Sequence, residues 1–329
     1  MARAVTLYTL QWGDLSLEAA CEKAKSFGYD GVELGIPVHV DVRQTDEAYY
    51  QGILGVLKKY GLSLYAISTH LIGQGVCDSI DIRHKEIQPP YIWGDGDPEG
   101  VRRRAAQSLI QTAHAAKALG VNTVVGFTGS SIWPLLYSFP PVSEKMIAEG
   151  YADFARRFKP ILDEYLRLGI RYALEVHPTE IAFDSYSARR ALEAVEHHPA
   201  FGFNYDPSHL GYQGVDYVGF IHEFADRIFH VHMKDVYWSD TPKRVGVFGG
   251  HVPFGDPQRY WNFRSVGRGK INFEEIIRAL NAIGYAGPLS VEWEDSAMDR
   301  ELGADESCRF VKSVDFKPSA VAFDANFGK

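Results

Sequence analysis

YALEVHP, residues 172–178, is an apolar run typical of a buried strand that ends on carboxylate and imidazole side chains. Three later stretches share this arrangement, and they are FNYDPSH at 203–209, FHVHMKD at 229–235 and LSVEWE at 289–294. Charged side chains at the ends of buried strands lose solvation, so they persist when they are paired or bound to a cation. We therefore interpret the four strand ends as one divalent-metal site.

Helix ends recur along the chain in a form that predicts a βα array. An apolar residue, a glycine and a second apolar residue stand at 27–29, 60–62, 119–121, 168–170 and 283–285, and a strand-like run follows each. Glycine suits the left-handed position that ends a helix, so each site indicates a helix-to-strand joint. The predicted strands cover roughly 4–12, 31–36, 63–69, 123–128, 171–176, 201–206, 228–233 and 288–293. Eight such strands predict a single α/β domain over residues 1–329, a (β/α)8 TIM barrel.

Two connections in this barrel are longer than routine turns. Residues 70–98 follow the third predicted strand, and residues 235–271 follow the seventh. Both leave the C-terminal ends of strands, where barrel enzymes build their active sites. The second connection is rich in aromatic side chains, Trp238 among them, which suits a substrate lid, a subunit contact or a packed excursion.

Net charge and cysteine content argue against several classes of protein. The formal charge of −8 opposes a nucleic-acid partner, because phosphate binding depends on clustered Lys and Arg side chains. The three cysteines, Cys21, Cys77 and Cys308, are scattered and suit free thiols in a reducing compartment. The N-terminus runs straight into a strand without a signal-peptide pattern, and no apolar run reaches the membrane-spanning length of about 20 residues. We expect a cytoplasmic protein that binds neither membrane nor nucleic acid.

The predicted metal ligands are Glu175, Asp206, His232 and Glu292, which close the fifth to eighth predicted strands. Four adjacent strands would thus each deliver one ligand to the same mouth of the barrel. Three carboxylates and one imidazole make an oxygen-rich set that favours Mn²⁺, and Mg²⁺, Co²⁺ or Zn²⁺ also fit. Each residue alone suits a salt bridge equally well, and His230 is an alternative ligand to His232. Together, the four endings favour one bound divalent ion.

The same strand ends resemble those of a known family. The strand of Glu175 and the stretches DPSH at 206–209, HMKD at 232–235 and VEWE at 291–294 are similar to those of the xylose-isomerase-like barrel superfamily, in particular its sugar phosphate isomerase/epimerase branch. The resemblance implies one catalytic metal held by the four ligands named above. It also implies that Glu175 and Glu292 face opposite sides of the substrate carbon as acid and base. A contact of His209 with the substrate and a homo-oligomeric assembly are implied in the same way.

Five further residues are predicted to contact a carbohydrate substrate. They are His70, His177, Lys234, Trp238 and Arg268. His177 shares a strand face with Glu175, so it should point into the same mouth, although orienting a metal ligand is an equally good use. Lys234 shares a face with His232 and could hold an oxyanion or pair with a carboxylate. Arg268 could reach a sugar hydroxyl or phosphate, or stand exposed on a turn.

The predicted chemistry is removal of a proton from the carbon beside a sugar carbonyl. A divalent cation stabilises the enediolate that forms, one carboxylate takes the proton and another returns it, which describes a sugar isomerase or epimerase. The same intermediate can instead expel a leaving group from the β-carbon. The chain would then be a keto-sugar lyase acting on 3-keto-glycosides, or a dehydratase of the inosose type, and the metal ligands do not separate these outcomes.

Two other functions fit the barrel less well. An apurinic-site endonuclease of the same superfamily is disfavoured because residues 126–129 lack the expected histidine and no Asp-x-His follows the seventh predicted strand. A non-catalytic sugar-binding subunit, including one within a mixed assembly, does not require paired glutamates. Phosphate recognition is unsupported, since GRGK at 267–270 matches no phosphate-binding loop.

Overall fold

Eight parallel strands close into a barrel in the computed structural model, which describes residues 2–137, 139–321 and 323–327. The barrel strands lie in the order β1-β10-β7-β6-β5-β4-β3-β2, and the last strand pairs with the first through Leu7 and Val291. This confirms the predicted (β/α)8 TIM barrel. The ten described strands are β1 (Val5–Tyr8), β2 (Gly31–Gly35), β3 (Ser63–Ser68), β4 (Thr123–Gly126), β5 (Arg171–Glu175), β6 (Phe201–Tyr205), β7 (Ile228–Met233), β8 (Asp235–Trp238), β9 (Trp261–Arg264) and β10 (Leu289–Val291).

The helices begin with side-chain caps, and several end at the glycines that the sequence indicates. Side chains of Ser16, Asp97 and Ser143 accept hydrogen bonds from the first turns of their helices. Gly120 and Gly169 end two long helices in the left-handed conformation, with φ of 74° at both positions. The helices are α1 (Leu17–Ser26), α2 (Glu47–Tyr60), α3 (His70–Gln74), α4 (Pro90–Trp93), α5 (Pro98–Leu119), α6 (Glu144–Leu168), α7 (Ser185–Ala194), α8 (Pro207–Gly211), α9 (Tyr217–Glu223), α10 (Phe273–Ala282) and α11 (Arg300–Val314).

The barrel interior is apolar toward the N-terminal ends of the strands and polar toward their C-terminal ends. Ala66, Val125 and Ala173 form a small buried cluster with Phe229, and Ala173 lies on the same face of β5 as Glu175. Near the C-terminal ends of the strands, the interior instead carries buried charged and polar side chains. The charged groups are therefore gathered at one end of the barrel.

The two long connections hold more regular structure than predicted. The connection after β3 contains α3, a 3₁₀ turn over Ile82–Glu86 and α4. Its backbone packs closely on the loop after β4, since a Cβ on Gly73 would lie 2.1 Å from the Phe127 carbonyl oxygen. The connection after β7 contains an antiparallel pair, β8 with β9. The first predicted strand was too long, because residues Leu10–Trp12 form a 3₁₀ turn.

Among the described residues, no helix is both long enough and apolar enough to cross a membrane. The three cysteines are free and buried.

Candidate metal centre and active site

Four side chains from four strands converge at the C-terminal end of the barrel. Glu175 is the last residue of β5, Asp206 directly follows β6, His232 lies in β7 and Glu292 directly follows β10. All four are buried, and each offers one ligand atom such that these atoms lie within 4.8 Å of one another. The structure therefore brings together all the residues that the sequence predicts as metal ligands.

The donor atoms of this cluster are poorly satisfied by the protein itself. Asp206 Oδ1 accepts a hydrogen bond from the Ser208 backbone N–H at 2.8 Å, but Oδ2 is buried with no hydrogen-bond partner in the described structure. His209 Nε2 lies 3.3 Å from that oxygen and 3.1 Å from Glu175 Oε1, yet neither contact has hydrogen-bond geometry. Buried polar atoms without partners are costly. Orphaned oxygen and nitrogen atoms beside converging carboxylates fit a divalent cation.

Glu33 of β2 fixes the orientation of His232. Both carboxylate oxygens of Glu33 lie 3.1 Å from His232 Nε2. The same carboxylate contacts His230 Nε2 at 2.8 Å and accepts a hydrogen bond from the Ser290 hydroxyl at 2.6 Å. Because a carboxylate only accepts, Nε2 carries a proton and Nδ1 faces the cluster, 3.0 Å from Glu175 Oε2. Carboxylate–histidine pairs of this kind orient metal ligands in proteins.

Burial and neighbouring charges act on the carboxylates in opposite directions. Burial disfavours ionisation of Glu175, but the adjacent imidazoles of His70, His209 and His232 hold its pKa well below the ordinary value. At Glu292, burial is likewise outweighed, chiefly by the Lys234 ammonium, and its pKa is lowered to about 2. Burial instead raises the pKa of Asp206 to about 6. The two glutamates are therefore ionised near neutral pH and can each accept a proton.

Comparison with known proteins identifies the family of this chain. Residues 21–314 match the model of a family described as xylose isomerase-like TIM barrel. The chain belongs to this family. It is 30% identical to uncharacterized protein YfiH of Bacillus subtilis (strain 168), over 66% of this chain and 74% of that protein. It is 34% identical to inosose dehydratase of Geobacillus thermodenitrificans (strain NG80-2), over 27% of this chain and 29% of that protein.

A solved structure also shares the fold of this xylose isomerase-like barrel. The structure of L-ribulose 3-epimerase superposes with a TM-score of 0.64 and covers 96% of this chain and 95% of its own. Its sequence identity to this chain is 20%, so the likeness speaks for the fold.

Two predicted substrate contacts of the xylose isomerase-like barrel lie against the cluster of predicted ligands. His70 Nε2 lies 3.0 Å from Glu175 Oε2, and its Nδ1 lies 2.8 Å from the Tyr8 hydroxyl. Lys234 Nζ lies 3.2 Å from Glu292 Oε2. Burial opposes the charge on Lys234, but the surrounding carboxylates, Glu292 first, raise its pKa well above the usual value. Both side chains touch a glutamate of the cluster, so both are placed to tune its charge.

His177 stands one layer away from the predicted ligands. Its ring packs edge-on against His209, with centroids 4.2 Å apart, and lies 4.8 Å from the Phe127 ring. Its Nδ1 is buried and lacks a hydrogen-bond partner within the described ranges. Burial lowers the pKa of His177 well below the usual value, with a further contribution from His209, so the ring is neutral.

Arg268 and Trp238 are not among the side chains that contact the four predicted ligands. Arg268 forms an ion pair with Glu306 of α11 at 2.7 Å, and its side chain is 51% exposed. The Trp238 ring packs close to Gly211 of α8, and Lys270 Nζ lies 5.7 Å from its centroid. Contact of either residue with a substrate stays a prediction.

Three buried residues of the centre were missed from the sequence. They are Tyr8, Glu33 and Asn204, whose side-chain amide donates to Glu175 Oε2 at 2.9 Å. A signal for Glu33 existed, since Val32-Glu33-Leu34 places a carboxylate inside an apolar parallel strand. Tyr8 and Asn204 carried no comparable signal, because neutral polar residues are common near strand ends.

Proposed function

We propose that this chain is a divalent-metal-dependent enzyme that removes a proton from the carbon beside a sugar carbonyl, as a sugar isomerase or epimerase. The observation that carries the proposal is the convergence of two buried glutamates, Glu175 and Glu292, with Asp206 and His232. Binding alone would not require two ionised carboxylates in one desolvated site, because each must be stabilised by neighbouring groups.

Glu175, Asp206, His232 and Glu292 would hold the cation, and Mn²⁺ is the ion we propose. When bound, such an ion supplies Lewis-acid stabilisation of negative charge on the substrate carbonyl oxygen. The donor set carries three negative charges, so the ion and the substrate complete its electrostatic balance.

The glutamates would move the proton. One of them takes the proton from the carbon, and the electron pair of the C–H bond moves into the new double bond of the enediolate. The glutamate that took the proton can return it to the neighbouring carbon, which gives the isomer. Inversion of the same carbon needs a proton from the opposite face, and the second glutamate would first take up that proton from solvent. Lys234 Nζ, 3.2 Å from Glu292 Oε2, stabilises the anionic form of that glutamate. Burial of the four ligands keeps bulk water from competing for the proton.

Elimination is the second candidate function, as a keto-sugar lyase or dehydratase. The identity to an inosose dehydratase over 27% of this chain favours it. In this reaction the same C–H proton is removed, the electron pair forms a C–C double bond, and the C–O bond at the β-carbon breaks. A protonated group beside the cluster must then donate to the leaving oxygen, and the ammonium of Lys234 is placed to do so.

The two reactions are separated by one experiment. Metal-loaded protein is incubated in D₂O with ketoses, ketose phosphates, inososes and 3-keto-glycosides, and products are followed by NMR. Deuterium gained in an isomer or epimer supports isomerisation, and release of water or an aglycone supports elimination. Metal binding with no exchange on any of these substrates would contradict both and favour a binding subunit.

Variants of the two glutamates test their role as acid and base. We expect Glu175→Gln and Glu292→Gln to lower turnover by at least about 100-fold, because an amide cannot accept the proton. Glu306→Gln is the matched control, since Glu306 lies on α11 and pairs with Arg268 instead of the cluster, and it should keep wild-type turnover. A near-normal rate in either active-site variant would remove that residue from proton transfer.

A cytoplasmic location and a homo-oligomeric state stay predictions.

A further inference from the structure

A cavity that the proposed mechanism does not use lies beside the cluster of predicted metal ligands. Its volume is about 550 Å³, within the range of small-molecule sites. Three connections line it: the one after β3 around Asp78 and His84, the one after β4 around Phe127 and Trp133, and the one after β5 at His177. All three leave the C-terminal ends of strands, so the cavity opens at the same end of the barrel as the cluster.

Two histidine side chains, His177 and His209, connect the lining of this cavity to the cluster. His177 lines the cavity, and its ring lies 4.2 Å from that of His209, which is in turn 3.1 Å from Glu175. Phe127 also lines the cavity and packs 4.8 Å from the His70 ring. A molecule bound at the cluster could therefore extend past His177 into the cavity. The buried Nδ1 of His177, without a partner in the part of the chain described, would accept a hydrogen bond from it.

One wall of the cavity is polar and already fixed. The Asp78 carboxylate accepts hydrogen bonds from the Ser130 backbone N–H at 2.8 Å and from the Gln74 amide at 2.7 Å. It also contacts His84 Nε2 at 3.0 Å. Polar groups held in place before a ligand arrives lower the entropy cost of binding.

Another part of the lining is aromatic. Trp133 lines the cavity and is supported by Phe183, whose ring centroid lies 5.3 Å away at an angle of 75°. Phe127, Leu71 and Ile87 add further apolar surface. A pyranose ring has an apolar face of C–H groups and an edge of hydroxyls. Such a ring would place its C–H face on Trp133 and its hydroxyls toward Asp78 and His84.

We propose that the substrate is a glycoside whose keto-sugar ring sits at the metal cluster and whose second pyranose ring occupies this cavity. The proposal rests on the proposed function, since the first ring is the one from which the proton is removed. It defines the substrate class as keto-disaccharides rather than free ketoses.

The test compares two substrates that differ only in the second ring. Methyl 3-keto-glucoside and 3-keto-glucosyl-glucose, each as the α and the β anomer, are assayed for deuterium exchange. For one of the two anomers, we expect the disaccharide to have a higher kcat/KM than the methyl glycoside. Trp133→Ala should lower kcat/KM for that disaccharide about tenfold and leave the methyl glycoside unchanged. Tyr186→Ala, which removes an aromatic residue of α7 that is 65% exposed and outside the cavity lining, is the control and should change neither value.

A binding measurement keeps the two proposals distinguishable. Saturation-transfer NMR on the disaccharide should show contacts on its second ring, and Ser79→Trp, which fills the cavity, should remove those contacts. Exchange on both substrates at equal kcat/KM, with Trp133→Ala acting equally on the two, would overturn the glycoside proposal and leave the proposed function standing. A higher kcat/KM for the phenyl 3-keto-glucoside than for the disaccharide would overturn the assignment of a sugar ring to the cavity. Second-ring contacts without exchange on any substrate would overturn the proposed function and the substrate assignment with it.

Discussion

The Glu33 carboxylate should control metal affinity without touching the metal. Glu33→Gln is the sharpest perturbation, because it keeps the size of the side chain and replaces one accepting oxygen with a donating NH₂ group. Glu33 contacts His230, His232, Ser68 and Ser290, all of them through groups that can donate. A glutamine cannot accept from all four, so at least one donor is left buried and unsatisfied.

The expected magnitude follows from these contacts. One unsatisfied buried donor costs about 1–3 kcal/mol of stability. His232 would also lose the acceptor that keeps its proton on Nε2, so its Nδ1 would face the cluster less often as a free ligand. Loss of such a supporting partner typically weakens metal binding by about 10–100-fold, which is about 1.4–2.8 kcal/mol.

The assay is titration of the metal-free protein with Mn²⁺, with free Mn²⁺ followed by electron paramagnetic resonance. Glu180→Gln is the matched control, since Glu180 is equally buried but is hydrogen-bonded to the backbone of Thr128 and Gly129 instead of the cluster. We expect the control to keep the wild-type Kd. A Kd for Glu33→Gln within twofold of wild type, with the fold intact by circular dichroism, would refute the reasoning.

Three further predictions concern the cluster, a buried carboxyl and a surface arginine. Asp206→Ala should remove bound metal, measured by elemental analysis after dialysis, because the orphaned Oδ2 is lost; full metal content would refute this. Burial and the nearby Asp78 raise the pKa of Glu180 from 4.5 to about 8. The contribution of Glu180 to the free energy of unfolding is therefore fully present below about pH 4.5 and is lost as the pH rises toward 8. The free energy of unfolding of Glu180→Gln, measured with urea, should therefore fall less than that of wild type between pH 5 and 8, by up to about 1.4 kcal/mol per pH unit. Arg268→Ala should leave turnover unchanged and alter stability by less than about 1 kcal/mol, since it breaks only an exposed ion pair; a large loss of activity would return Arg268 to the substrate site.

The sequence predicted the parts of this molecule that depend on local pattern. Strand ends such as Glu175 and Glu292 could be placed at one mouth because parallel barrel strands all point the same way. Contacts between distant segments could not be predicted. The strands Asp235–Trp238 and Trp261–Arg264 pair across the long connection 239–260, which is far longer than a hairpin turn, and the partner of Arg268 lies on α11. Glu33 was not predicted because it lies in the middle of β2, whereas the predicted ligands stand at strand ends.

The pairing of β1 with β10 joins two strands that lie far apart in the sequence, Val5–Tyr8 and Leu289–Val291. The Arg3 backbone N–H donates to Asp315 at 2.7 Å, and Leu7 aligns with Val291 across the seam. Until β10 has been synthesised, β1 has a partner on one edge only, and its other edge is open to other chains. Glu292 directly follows β10, so a nascent chain that stalls before residue 289 would have both an open edge and an incomplete ligand set.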